Sequence, residues 1–420
     1  MFLNVSEEAT LDFLRRHDND YAIQAIPAIL YLAILMLLGF VGNSVVCYVY
    51  LFKFQRITTT TYFVVSLAVL DLINCITSIP FEIIDLRHNF TLGASVVCKI
   101  MPVTVTFVSI ASGNVLLAVA VDRYRKVCHA FRKQMTKPTA KLSIMVCCSL
   151  SAVMSLPSVF VFGSRTVVLG ENVTGSECSI SDSFKGSVFP VVYNGVQLVQ
   201  FLIATVAIIV LYVLVWRQIS RQHKYVSTLT TSANTGGTFP VHVARSNEDE
   251  VTSVSTGDLF ISSSNDCEQG KSISNISKSQ NSTVSENDNA STFQRPTNLE
   301  DVPQLSHSDK PGCTVKVKDT LRSQRETQVR KTTLMLFLIS LVFILSFLPH
   351  LGIMAATVIN KNLYDSLQGA QVAAYNICQR SYFINSAANP IIYSFCSVNF
   401  RRAVRDMIKR KSDKDRLRNI

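Results

Sequence analysis

A chain of 420 residues that is 48% hydrophobic, only 16% charged and has a mean hydropathy of +0.28 also holds a polar stretch of about a hundred residues in its middle, so the remainder is more apolar than a soluble domain should be. Forty basic residues against 29 acidic ones give a net charge of +11. The bases cluster beside apolar runs, which argues against nucleic acid as the partner. No nucleotide loop, metal-ligand spacing or nucleophile with a positioned base occurs in the apolar runs, so an enzyme has no support.

Residues 1–22 read as a short polar outer tail. It has no apolar core, so no cleavable signal peptide is expected and the first span serves as its own anchor. Seven apolar segments then reach the roughly 20 residues a bilayer requires. They are Ile23–Phe52, Tyr62–Leu86, Val97–Val121, Leu142–Phe162, Val188–Trp216, Thr332–Ile359 and Val372–Phe395. They lack the polar face of a buried soluble helix. The expected fold is therefore an all-α membrane protein, a seven-helix bundle. Residues 23–224 hold spans one to five, 225–328 a disordered cytoplasmic loop, 329–396 spans six and seven, and 397–420 an amphipathic eighth helix and tail.

Orientation follows from charge. Lys53 and Arg56 follow the first span, Arg123, Arg125 and Lys126 the third, Arg217, Arg221 and Lys224 the fifth, and Arg401, Arg402 and Arg405 the seventh. The opposite connections are mixed or acidic, so the N-terminus is expected outside and the C-terminus inside. Cys98 and Cys178 alone fall on the oxidising side, and elimination pairs them in a disulfide. The sequons at Asn4, Asn89 and Asn172 lie on the same side, where glycosylation is expected. Those at Asn275, Asn281 and Asn289 lie inside and are read as chance matches.

Within the spans, polar residues stand out. Asn43 lies in the first and Asp71 in the second, where a charge costs about 3 kcal/mol on insertion scales. Ser112 lies in the third, and Asn385, Ser386 and Asn389 in the seventh. The third span ends at Asp122-Arg123-Tyr124, an acid–base pair at the water boundary. Residues 225–328 are rich in Ser, Thr, Asn and Asp, with three Phe and no Trp, and cannot offset their ordering entropy by burial. The basic stretches Arg217–Lys224 and Lys316–Lys331 are expected to extend the fifth and sixth helices. The sixth span carries Phe343 and the kink Phe347-Leu348-Pro349-His350. The seventh ends in Asn389-Pro390-Ile391-Ile392-Tyr393, followed by an amphipathic run, Asn399–Ile408.

Asp122-Arg123-Tyr124 and Asn389–Tyr393, at the inner ends of two different spans, resemble the corresponding motifs of rhodopsin-like (class A) G-protein-coupled receptors. The resemblance covers the seven helices and the eighth. It implies that Asp122, Arg123, Tyr124, Tyr212, Phe343, Phe347, Pro349, Asn389, Pro390 and Tyr393 carry activation and coupling to a heterotrimeric G protein. It also implies a sodium ion, as allosteric effector rather than cofactor, among Asp71, Ser112, Asn385 and Asn389. Val105 stands where amine receptors have an acid, and Phe383 where opsins have a lysine. Pro80, Pro102, Thr106 and the run Arg123–His129 look like neuropeptide receptors of the orexin and cholecystokinin type. A plasma-membrane receptor for an extracellular peptide is expected, with Val105, Thr106, Ser109, Phe201, Phe347, His350, Gln379 and Phe383 lining its pocket. Charges at Glu82, Asp85, Arg87 and Arg380 lie near the outer ends. The alternatives are a lipid or other small-molecule ligand, and less favourably a transporter. Kinases and arrestin are expected to act on the third cytoplasmic loop.

The chain departs from the family at several positions. Phe347 replaces a Trp, Ala204 a Pro, Gly113 a branched apolar residue, and Cys147 or Cys148 a Trp. Val329 stands where an acid often tethers Arg123, with Glu326 nearby. A weak inactive-state latch and measurable basal signalling are expected.

Overall fold

The computed structural model describes residues 5–54, 57–92, 95–169, 173–234, 311–360, 363 and 366–418. Asn4, Asn172 and residues 235–310 of the long polar loop lie outside them. The spans belong to one compact unit made of residues 1–234 and 314–420.

Helix α1 (Val5–Tyr48) runs through the expected outer tail without a break and ends in a π turn, Val49–Lys53. The second span is α2 (Thr59–Ile73), a π turn at Asn74–Ser78 and α3 (Ile79–Arg87). Thr58 starts α2 by a reciprocal capping box with Thr61, which satisfies orphan amides at the helix start. Helix α4 (Ser95–Cys128) carries the third span and continues six residues past Asp122, so the acid–base pair is not in its last turn. The fourth span is α5 (Lys137–Ser155), capped by Thr136, with a short α6 (Ser158–Val161) beyond the break at Pro157. Strands β1 (Phe162–Val168) and β2 (Thr174–Ile180) form an antiparallel hairpin on the outer side, Ser164 facing Cys178.

Helix α7 (Phe189–Asn234) holds the fifth span and α8 (Pro311–Ile359) the sixth. The boundaries expected at residues 225 and 328 therefore fall inside helices. The flanking sequences have few Gly or Pro residues to stop them. The seventh span is broken: α9 (Ala370–Gln379), a 3-10 turn at Ser381–Phe383, then α10 (Ile384–Cys396). Among the described residues six helices are long and apolar enough to cross a membrane, and this break leaves both halves of the seventh span too short to count with them. Helix α11 (Val398–Arg418) follows, anchored by buried Phe400 against Tyr50 and Tyr393.

The polarity of the bundle is inverted relative to a soluble domain. Asn43, Asp71, Asn74, Ser112 and Asn389 are buried. Large apolar side chains such as Leu37, Val153, Val191 and Ile203 stand exposed on α1, α5 and α7. A bilayer explains both facts, because lipid covers the apolar exterior and only the interior can satisfy polar groups. The fold is a multi-pass helical membrane bundle. Two glycines set close approaches within it. A Cβ at Gly42 would lie 2.6 Å from Pro390, and one at Gly113 would lie 3.2 Å from the Phe343 ring.

Candidate functional site

Three groups of side chains fill the interior from the inner end outward. At the inner end, Asp122 and Arg123 are buried side by side on α4. Arg123 donates from Nε to Asp122 Oδ2 at 3.1 Å, and its Nη2 bonds the same oxygen. That Nη2 also donates to Thr60 Oγ1 on α2 at 2.7 Å. Lys126, one turn along, donates to Asp122 Oδ2 at 2.8 Å and to Thr59 Oγ1 at 2.6 Å. Asp122 Oδ1 has no partner. Among the described residues no acid of α8 bonds Arg123: Val329 is exposed, and the side chain of Glu326 lies outside those residues. Arg123 is held instead by its neighbour and by the first turn of α2.

Among the described residues, none of the other members of the expected inner machinery is hydrogen-bonded to Arg123, though Tyr212 lies within its electrostatic reach. Tyr124 faces His129, whose Nε2 lies 3.3 Å from its hydroxyl. Tyr212 is buried and receives a hydrogen bond from Ser340 at 3.5 Å. Tyr393 is fully buried beside Tyr50, and its hydroxyl has no partner. Thr59, Thr60, Lys126 and Ser340 were not singled out from sequence. The four consecutive threonines Thr58–Thr61 were the available signal.

In mid-membrane, Asn389 Nδ2 donates to Asp71 Oδ2 at 2.7 Å, and Ser386 also bonds this carboxylate. Asn74 Nδ2 reaches Ser386 Oγ at 3.3 Å, while Asn43 Nδ2 donates to the carbonyls of Gly39 at 2.9 Å and Ser386 at 2.7 Å. The side-chain oxygens of Asn43, Asn74, Asn385 and Asn389 are buried without partners. Ser112 and Asn385 are buried too, though neither is bonded to Asp71. Between α4 and α5, Asn114 Nδ2 donates to Ser151 at 3.0 Å and its carbonyl accepts from Cys147 at 3.5 Å, so this interface needs no Trp.

Above this level lies a chain of aromatic rings. Phe343 and Phe347 are 4.9 Å apart, Phe201 is 5.2 Å from Phe347, and Tyr382 is 5.7 Å from Phe347 and 5.1 Å from His350. Phe201, Phe347 and His350 are thus brought together as expected, and Tyr382 joins them. Phe383 lies behind them, its ring 4.5 Å from that of Tyr382, and is fully buried in a cluster with Leu32, Ile79 and Leu86, against which Val105 and Tyr382 also pack. Thr106 bonds Tyr193, and Ser109 is half-buried. Two hydrogen bonds join the irregular parts of α8 and the seventh span: His350 Nδ1 to the Gln379 carbonyl at 2.7 Å, and Ser381 Oγ to the Ser346 carbonyl at 2.7 Å.

The outer end is built from charge and covalent ties. Arg380, 8% exposed, donates to Glu82 at 2.7 Å, Asp85 at 3.3 Å and Asn376 at 2.6 Å, linking α9 to α3. The Cys98–Cys178 disulfide is formed, with Cα atoms 5.2 Å apart, and ties β2 to α4. Asp182 accepts from the Thr166 amide at 2.9 Å, and that bond holds its exposed carboxyl below its ordinary value. Asp18 is buried on α1, takes the Phe90 amide at 2.7 Å and bonds the Thr91 hydroxyl. The Phe90 carbonyl accepts in turn from the Ser176 amide at 2.9 Å. At the Asn89 sequon, Nδ2 is buried and the Thr91 hydroxyl is bonded to Asp18.

Residues 42–393 match the model of the 7 transmembrane receptor (rhodopsin family). The chain is similar to the substance-K receptor of Mus musculus, 33% identical over 139 residues, covering 32% of this chain and 35% of that protein. It is similar to neuromedin-U receptor 2 of Rattus norvegicus, 28% identical over 229 residues, covering 52% and 56%. It is also similar to the type-1 angiotensin II receptor of Sus scrofa, 25% identical over 233 residues, covering 53% and 63%. The matched stretches span from about a third to somewhat under two thirds of these relatives' lengths.

Proposed function

The chain belongs to the rhodopsin family of seven-transmembrane receptors, and from that premise we propose that it is a plasma-membrane receptor for a peptide, coupled to a heterotrimeric G protein. The observation that carries this reading is Arg123. It is a buried base at the inner mouth of the bundle, held by one carboxylate and one hydroxyl rather than by a closed network. Such a group can be released when helices shift, and once released it offers a rigid cationic fork to a partner. Ligand among spans three, five, six and seven biases an existing equilibrium, and the inner end of α8 moves outward. Tyr212, within electrostatic reach of Arg123 at rest, and Tyr393 brace it in the shifted state.

The peptide class is supported by the relatives named substance-K, neuromedin-U and angiotensin II receptors. The outer mouth agrees with it, because Glu82, Asp85 and Arg380 supply charge beside the aromatic chain. The basic inner flanks and the disulfide-bearing outer hairpin support an N-terminus outside the cell. Phosphorylation of the polar loop by kinases, read by arrestin, belongs to the same proposal, as does glycosylation at Asn4 and Asn172.

The mid-membrane group fits a small hard cation. Asp71 supplies negative charge, and Asn385 and Asn389 have buried oxygens without partners, the ligand type such ions take. When bound, sodium neutralises the Asp71 charge. Asp71, Asn385 and Asn389 hold it, with Ser112 in reserve.

The test is a screen of secreted peptides and lipids with calcium and cyclic-AMP readouts, repeated with Arg123→Ala. Reaching the surface but losing at least about tenfold in response is the expected outcome for this variant. Undiminished signalling rejects the role of Arg123, and activation by lipids alone rejects the peptide class.

A further inference from the structure

At the inner end two bases share one carboxylate oxygen. Asp122 Oδ2 receives Arg123 and Lys126, and Asp122 is wholly buried with Oδ1 unpartnered. The Lys126 side chain keeps 24% exposure and is steadied by Thr59 at 2.6 Å, independently of Arg123 and its own hydroxyl partner, Thr60. If Arg123 leaves for a G protein, a buried carboxylate left without a base would carry a large desolvation penalty. Here that carboxylate keeps a second base at 2.8 Å.

We propose that Lys126 is the reserve counter-ion of Asp122, a positioning residue that holds the carboxylate's charge when Arg123 swings away and so makes its release easier. The inference rests on the coupling role of Arg123. It fixes the sign of an effect that could run either way. A lysine bridging α4 to Thr59 looks like a clamp, whose loss would free the receptor. As a reserve counter-ion, its loss tightens the hold of Asp122 on Arg123 and silences the receptor.

The experiment uses full-length receptor at matched surface density, without ligand, and measures recruitment of a panel of nucleotide-free Gα subunits. Wild type is scored first. No recruitment of any Gα overturns the coupling reading, and this inference with it. Given wild-type recruitment, Lys126→Gln is expected to lower it by about fivefold or more, and Lys126→Arg to restore it. In an Asp122→Asn background, where no charge needs a counter-ion, Lys126→Gln is expected to change nothing further. Raised recruitment in Lys126→Gln makes Lys126 a clamp and overturns the proposal, as does no change. A loss that persists in the Asp122→Asn background means that Lys126 touches the G protein itself, and also overturns it.

Discussion

Single residues decide how the interior of this bundle tolerates polarity. Asp71 is the clearest case, a carboxylate with Asn389 and Ser386 bonded to it and unpaired amide oxygens nearby. Asp71→Asn keeps the shape and removes the charge. The expected outcome is a folded receptor whose thermal unfolding no longer responds to replacing potassium by sodium. Wild type should gain stability with sodium as RT ln(1 + [L]/Kd), about 1.4 kcal/mol when the ion stands roughly tenfold above its Kd. Equal sodium dependence in both proteins would show that Asp71 does not hold the ion. The polar cluster around Asp71 was legible in the sequence because an acid inside a span is rare and demands a partner. The Arg123 latch was only half legible. Asp122 is its neighbour in sequence, whereas Thr60 comes from 63 residues away, and threonines at a span's start look like ordinary caps.

At the scale of elements, irregular backbone explains what counting residues missed. An unbroken seventh span was expected, yet the 3-10 turn at Ser381–Phe383 divides it, which a run of apolar residues does not announce. Beside that turn Tyr382 meets Phe347 and His350, while Phe383, against Tyr382, is fully buried. The long helices hold no such surprise, because apolar length alone identifies them. Their packing makes a sharp prediction from two glycines. A Cβ at Gly42 would press into Pro390, whereas one at Gly195 on α7 meets nothing within 4 Å. Gly42→Ala is therefore expected to destabilise the purified receptor by about 1–3 kcal/mol through overpacking. Gly195→Ala should instead stabilise it, by at most about 1 kcal/mol of helix propensity. Thermal unfolding of the two variants checks the opposite signs, and a shared sign would contradict the close approach of α1 to α10.

Across the whole molecule, the outer surface is tied in series. Asp18 holds the Phe90–Thr91 turn, Phe90 holds β2 at Ser176, and Cys178 on β2 is bonded to Cys98 at the start of α4. The residues before the first apolar run are thus structural, which their polarity concealed. Asp18→Ala leaves the Phe90 amide without its acceptor, a cost of about 1–3 kcal/mol. Faster hydrogen exchange at Phe90 and Ser176 and a lower melting temperature are expected. Asp20→Ala, at an exposed position, should stay within about 0.5 kcal/mol of wild type. Equal exchange in both variants would remove Asp18 from this role.

The broken seventh span has a mechanical meaning beyond its place in the fold. Straight helices are stiff bars, and a bar transmits rotation only where it can bend. Here the stretch of α8 around Pro349 and the 3-10 turn after α9 are pinned together, Ser381 to Ser346 and His350 to Gln379. Two bars that share a pivot form a linkage. A ligand that displaces Tyr382 or His350 at the mouth is therefore expected to turn the lower arms of both spans together, the arms that carry Phe343 and Tyr393.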